Sequence, residues 1–184
     1  MADAPGPIGP AGRDALYAHA AREYGGVLHR LARAYEADVD RRQELLQDIH
    51  IALWRSFATF NGRCSLRTWV YRVAHNVATS QVIRRRAHSP ALVSLDELAS
   101  TPDGQGGERS LHRHLALDRL YALVHALKPV DRQVILLHLE GVDAGSIGEI
   151  TGLSSGNVAT KVHRITQILA RRFHEGGPHE QSGS

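Results

Sequence analysis

Apolar residues recur at intervals of three and four along most of this chain, and no stretch sustains the alternation of a strand, so the pattern predicts helices. From residue 14, Leu16, Ala20, Tyr24, Val27, Leu28 and Leu31 line one helical face. A second helix is expected over 40–58, with Leu45, Leu46, Ile49, Leu53 and Phe57 as its stripe. The run from Phe60 through Asn61, Gly62 and Arg63 to Cys64 reads as a turn, because Asn-Gly tolerates positive φ. Ser65 is then placed to cap a third helix that reaches about Arg86 and turns Leu66, Trp69, Val70, Val73 and Val77 inward. Three stripes that can bury one another define a first domain over 13–87. Residues 1–12, rich in Pro, Gly and Ala, read as a disordered lead. Over 88–110 Ser, Pro, Gly and Asp replace the periodicity, which is the composition of a flexible linker.

Periodicity resumes at Leu111. Leu117, Leu120, Leu123, Val124 and Leu127 form a stripe that Pro129 stops. Further helices are expected over 131–139, 144–151 and 154–173, giving a second domain over 111–173 and a polar, disordered tail over 174–184. The predicted fold is all-α: two small helical domains joined by the linker.

The segment 143–173 carries the sharpest local signal, a helix-turn-helix. Ile147 and Ile150 face inward, and Gly148 lies between them, where close approach favours a small side chain. Gly152 supplies the turn, Leu153 a buried turn residue and Ser154 a cap. In the last helix Val158, Val162, Ile165 and Leu169 fall within one arc. Gly156, Thr160, His163, Arg164, Gln167 and Arg171 fall opposite, flanked by Asn157 and Lys161. Asn, Thr and Gln can bond base edges, while Arg and Lys can bond phosphate or guanine. A solvated surface helix is the bland alternative.

Charge sharpens this reading. Residues 61–88 hold six arginines and no acid, and residues 154–173 hold Lys161, Arg164, Arg171 and Arg172 and no acid, although the net charge of the whole chain is only +3. Two acid-free cationic segments far apart in sequence suit contact with phosphates. In the third predicted helix Arg67, Thr68, Tyr71, His75 and Thr79 lie away from the apolar stripe, and Arg84, Arg85 and Arg86 close it. Rings interleaved with cations suit single-stranded nucleic acid, with Tyr71 the favoured stacking ring and Trp69 the favoured core ring. Trp54 fits either a core or a partner-facing position.

Composition removes other classes. No apolar run approaches the roughly 20 residues of a membrane helix, and the first residues lack the basic start and apolar core of a secretory signal, so a cytoplasmic location is expected. The single cysteine, Cys64, cannot form an internal disulfide. Of the 12 histidines, only His112 and His114 form a close pair, without Cys or clustered carboxylates in ligand spacing. With no phosphate-binding loop, nucleophile elbow or metalloprotease motif, neither enzyme activity nor a metal or cofactor is expected.

Two stretches carry a family resemblance. LLQDIHIALWRSFATFNGRCSLRTWVYRVAHNVATSQVIRRR resembles region 2 of sigma factors of the extracytoplasmic-function group, and LKPVDRQVILLHLEGVDAGSIGEITGLSSGNVATKVHRI resembles their region 4. Order and spacing agree over about residues 14–173. The resemblance implies a protein that binds core RNA polymerase and directs it to promoters. Region 2 would grip the clamp helices of the β′ subunit through Glu44, Leu45, Gln47 and Asp48. It would capture melted −10 DNA through Asn61, Gly62, Arg63, Ser65, Arg67, Thr68, Tyr71, Arg72, His75, Asn76, Arg84, Arg85 and Arg86. Region 4 would read the −35 element through Ser155, Gly156, Asn157, Thr160, Lys161, His163, Arg164 and Gln167 and dock on the β flap. An anti-sigma factor is a partner the family commonly has. Arg41 and Arg42 stand where the family usually has acids before its Leu-x-Gln motif, Ser80 replaces its Asp, and Asn157 and Lys161 replace its Thr and Arg. A stand-alone helix-turn-helix regulator is the alternative; it leaves the first cationic segment unexplained.

Overall fold

The computed structural model describes the backbone of residues 9–88 and 108–175 and the side chains of residues 9–85 and 115–173. Within them the chain forms seven α-helices and no strand: α1 (Pro10–Tyr35), α2 (Val39–Ser56), α3 (Leu66–His88), α4 (Glu108–His125), α5 (Pro129–Leu139), α6 (Ala144–Thr151) and α7 (Ser155–Glu175). Every expected helix is present, and the differences lie at the ends. α1 starts at Pro10, ahead of the expected residue 14, and Pro129, read as a stop, opens α5. Both prolines occupy the first turn, where a missing N–H costs nothing and the fixed φ is already helical. Residues 10–12 and 108–110, expected in the lead and the linker, are helical, as the first turns of α1 and α4. The remainder of the expected lead, linker and tail (residues 1–8, 89–107 and 176–184) lies outside the described residues, as do the side chains of Arg86, His112 and His114.

The first three helices share one core. Leu28, Leu45, Ile49, Leu53, Phe57 and Val70 are at most 1% exposed, and each such side chain contributes on the order of 2 kcal/mol by burial. The α1–α2 corner is held by polar groups. Asp38 accepts the Arg41 N–H at 2.9 Å, and the Arg42 guanidinium donates to the Glu36 and Ala37 carbonyls at 3.2 and 2.8 Å. Arg42, a departure from the family pattern, thus ties off the end of α1.

The last four helices build a second core on two sides of α5. Val134 and Leu137 pack with Ile147, Ile150 and Val158; Ile135 packs with Ile165 and Leu169. Arg132 is only 3% exposed. Its Nε donates to the Val124 carbonyl at 3.1 Å and its guanidinium also reaches the His125 carbonyl, closing the end of α4.

The two halves pack together. Tyr71 of α3 lies in the same cluster as Val134, Leu137, Val142, Ile147 and Ile150. Around it Arg30 forms a two-pronged ion pair with Glu140, both bonds at 2.8 Å, and Arg33 pairs with Asp118 at 2.5 Å.

Candidate nucleic-acid interface

α6 and α7 form the expected helix-turn-helix, and the local chemistry explains each joint. Asp143 caps α6 by accepting the Ser146 N–H at 2.9 Å. α6 ends at Gly152 with φ 77°, whose N–H returns to the Gly148 carbonyl at 2.8 Å. A Cβ on Gly148 would sit 2.6 Å from the Leu153 carbonyl oxygen, so this position must be bare. Ser154 then accepts the Asn157 N–H at 3.3 Å at the start of α7.

α7 is sharply two-faced. Val158 and Ile165 are buried, while Ser155, Gly156, Asn157, Thr160, His163, Arg164 and Gln167 are exposed. The Thr160 hydroxyl donates back to the Gly156 carbonyl at 3.0 Å, and Gln167 lies 3.0 Å from His163 one turn away. Lys161 differs from the others: it is half-buried, and its Nζ donates to Asp131 of α5 at 2.6 Å. An Arg164 nitrogen lies 3.5 Å from the other Asp131 oxygen.

The −10 candidates divide. Asn61, Gly62, Arg63, Ser65, Arg67, Asn76 and Arg84 are exposed. Asn61 closes its own turn by accepting the Arg63 N–H at 3.2 Å, and Ser65 caps α3 by accepting the Thr68 N–H at 3.0 Å. Together with Cys64, Trp69, Arg72 and Glu149, Asn61 and Arg63 line a cleft of about 470 Å³. Arg85 pairs with Glu36.

Three candidates expected on the outer face of α3 are instead buried: Thr68 at 9% exposed, Tyr71 at 2% and His75 at 1%. His75 is covered by Tyr35 of α1, whose hydroxyl lies 3.1 Å from its Nδ1. Burial lowers the His75 pKa to about 3 and raises that of Tyr35 to about 12, so both are neutral. Tyr71 is covered by α5 and α6. Their neighbours Arg67 and Arg72 donate to the main-chain carbonyls of Glu140 and Glu149 at 2.5 and 3.4 Å. A wheel drawn for one helix shows one apolar stripe; α3 is packed on two sides, and the second belongs to a domain distant in sequence.

Of the polymerase candidates, Glu44, Gln47 and Asp48 are exposed on α2. Leu45 is 1% exposed in the first core and has no surface to offer a partner in this conformation. Asp48 accepts a hydrogen bond from Gln81 of α3 at 2.6 Å. A groove of about 660 Å³ runs beside them, lined by Ile51, Arg55, Asn76 and Arg84 among others. The sequence reading missed Asp131 and Glu140, whose carboxylates meet Lys161, Arg164 and Arg30, because it sought cations alone; it also missed Glu149, which meets Arg72 through its main-chain oxygen.

Comparison with known proteins gives the same two-part division. The sigma-70 region 2 family matches residues 20–88, and the sigma-70 region 4 family matches residues 117–167. The chain is 26% identical over 136 residues to RNA polymerase sigma factor YlaC of Bacillus subtilis, covering 73% of this chain and 79% of that protein. It is 24% identical over 153 residues to ECF RNA polymerase sigma factor SigM of Mycobacterium tuberculosis, covering 82% and 73%. Among solved structures, CnrH in complex with the cytosolic domain of CnrY superposes with a TM-score of 0.63 at 18% identity, over 91% of this chain and 93% of that one. The sigma factor RpoE with the anti-sigma factor NepR from Bartonella quintana also superposes with a TM-score of 0.63, over 83% and 92%. Two family matches in the order of the two domains, with the relatives just named, place the chain in the sigma-70 family as a sigma factor of the extracytoplasmic-function group.

Proposed function

We propose a division of labour for this sigma factor, which binds core RNA polymerase and directs it to promoters. The region 2 domain (13–87) takes the melted −10 strand through the 60–65 turn, Arg67, Tyr71, Arg72 and Asn76, and meets the β′ clamp through the exposed groups of α2. The region 4 domain (111–173) reads the −35 duplex through α7 and docks on the β flap. The work is binding and strand capture, carried out in the cytoplasm beside polymerase and genome, and involves no bond-making by this chain. An anti-sigma factor is the regulator we expect, since both solved neighbours are complexes with another protein and one is a sigma factor with its anti-sigma factor.

The observation that carries the reading is the acid-free outer face of α7, where Gly156, Asn157, Thr160, His163 and Arg164 stand exposed over a buried Val158–Ile165 ridge. Its width and polarity fit a major groove. The closed packing adds a condition: with Tyr71 buried between the domains, the −10 surface is incomplete until they separate. Core polymerase, by gripping both domains, would part them.

Run-off transcription with purified core enzyme on a genomic promoter library tests this. The expected result is new transcripts only when the chain is present, with protection at two elements and only weak duplex binding by the chain alone. Transcripts that do not depend on the chain, or duplex binding that core enzyme leaves unchanged, would remove the assignment.

A further inference from the structure

Recognition helix α7 has no acid among residues 155–173, yet two of its four cations there already face one. Asp131 lies in the first turn of α5 and its side chain is 12% exposed. One oxygen takes Lys161 Nζ at 2.6 Å and the other lies 3.5 Å from an Arg164 nitrogen. Lys161 and Arg164 are one turn apart, so a single carboxylate spans both. The start of α5 favours its negative charge. The two cations differ in what remains to them. Lys161 is mostly covered, with 29% of its side chain exposed, and its ammonium is turned towards α5. Arg164 keeps 61% of its side chain in solvent while one end of the guanidinium stays within ion-pair range of the carboxylate, at 3.5 Å. A guanidinium has five N–H donors in a fixed plane, so a tether at one edge leaves the others free and limits their direction.

We propose that Asp131 is a positioning residue for −35 reading. It buttresses Arg164 so that the remaining donors meet a guanine edge in a set geometry, and it withholds Lys161 from the DNA backbone. Asp131 itself touches no DNA. This rests on the assignment of α7 as the −35 helix and deepens it: charge at 161 and 164 becomes directional where it would otherwise be diffuse.

The test uses reconstituted holoenzyme with cognate and scrambled −35 duplexes over a salt series. Asp131→Asn should tighten binding to scrambled DNA and steepen the salt dependence by about one to two phosphate equivalents as both cations are released. It should also lower the cognate-to-scrambled ratio about ten-fold, the scale of one bidentate base contact. Asp131→Glu should restore most of that ratio, which a purely steric role would not. Arg164→Lys, which keeps the ion pair and loses the fork, should cost similar selectivity and needs no change at Asp131. If Arg164→Ala lowers the ratio while Asp131→Asn and Arg164→Lys leave ratio and slope unchanged, the positioning role is overturned and the −35 assignment survives. If Arg164→Ala also changes nothing, Arg164 is not a −35 contact and the positioning role falls; if Asn157→Ala and Thr160→Ala are silent as well, the assignment of α7 falls with it.

Discussion

Single residues in this chain are decided by what covers them more than by their type. His75 has the composition of a nucleic-acid contact and the environment of a core residue. Burial holds its imidazole neutral, with a pKa lowered to about 3 from 6.5. The unfolded chain therefore binds a proton below about pH 6.5 that the folded chain refuses, and stability falls as pH drops through that window, by up to roughly 1.4 kcal/mol per pH unit for one such group. His125 and His50 are lowered by burial in the same direction and add to the slope. Urea denaturation of the wild type between pH 6.5 and 4.5 should show this loss, and His75→Gln should flatten the profile by about 1 kcal/mol per unit at some cost in stability at pH 7. An unchanged slope in the variant would mean the imidazole titrates freely in the folded state. Leu45 teaches the same lesson from the apolar side. Family pattern assigned it to a partner, yet its place in the α2 stripe with Ile49 and Leu53 was already the better guide.

At the scale of elements, what could be read in advance was whatever depends on neighbours in sequence. The α6–α7 unit was legible down to its cap, its turn glycine and its bare crossing position, because each answers to groups within a few residues. Gly148→Ala tests the tightest of these contacts. The new Cβ would meet a main-chain oxygen at 2.6 Å, and a backbone carbonyl in a capped turn cannot swing aside as a flexible side chain would. Overpacking of this kind costs about 1–3 kcal/mol, while the better helix propensity of alanine returns at most about 1 kcal/mol. A net loss of about 1–2 kcal/mol and a weaker −35 dependence of transcription are expected. A variant as stable as wild type in urea would show that the turn has room. α3 was the element misread in part. Its Leu66–Val77 stripe was correctly turned inward, but Thr68, Tyr71 and His75 are amphipathic enough to suit water or a core. Tyr24 and Val27 of α1 lie beside Tyr71, but the buried groups that close over it stand more than 60 positions later in the chain, on α5 and α6. No periodicity within one helix carries that information.

Over the whole molecule the charge blocks form a pattern that neither domain shows alone. Residues 89–153 hold nine acids against five bases, next in sequence to the acid-free 61–88 segment. In the folded chain two of those acidic residues, Glu140 and Glu149, lie against the first domain, where Arg30, Arg67 and Arg72 meet their carboxylate or main-chain oxygens. The cationic surface of the first domain is thus met by the chain itself. Burial of Tyr71 in the closed form is worth on the order of 2 kcal/mol, and stacking the same ring on an unpaired base about 1–3 kcal/mol. These nearly balance, so small terms decide whether the domains part. The joint is incompletely filled: a cavity of about 220 Å³ lies between Val27, Leu31 and His75 on one side and Tyr121, Val124 and Leu136 on the other, and unfilled space forfeits dispersion contacts. The Arg30–Glu140 pair is a polar restraint across it, beside Arg33–Asp118 and the bonds from Arg67 and Arg72. Glu140→Lys replaces that attraction with repulsion, a change of about 1–2 kcal/mol for a partly exposed pair. The free variant should therefore bind a single-stranded −10 oligonucleotide roughly ten-fold more tightly than the free wild type. Holoenzyme made from either should bind it alike, because on the proposed reading polymerase parts the domains in both. Equal affinities of the two free proteins would mean that closure does not limit access to α3, and the surface would then owe its restraint to something other than the second domain.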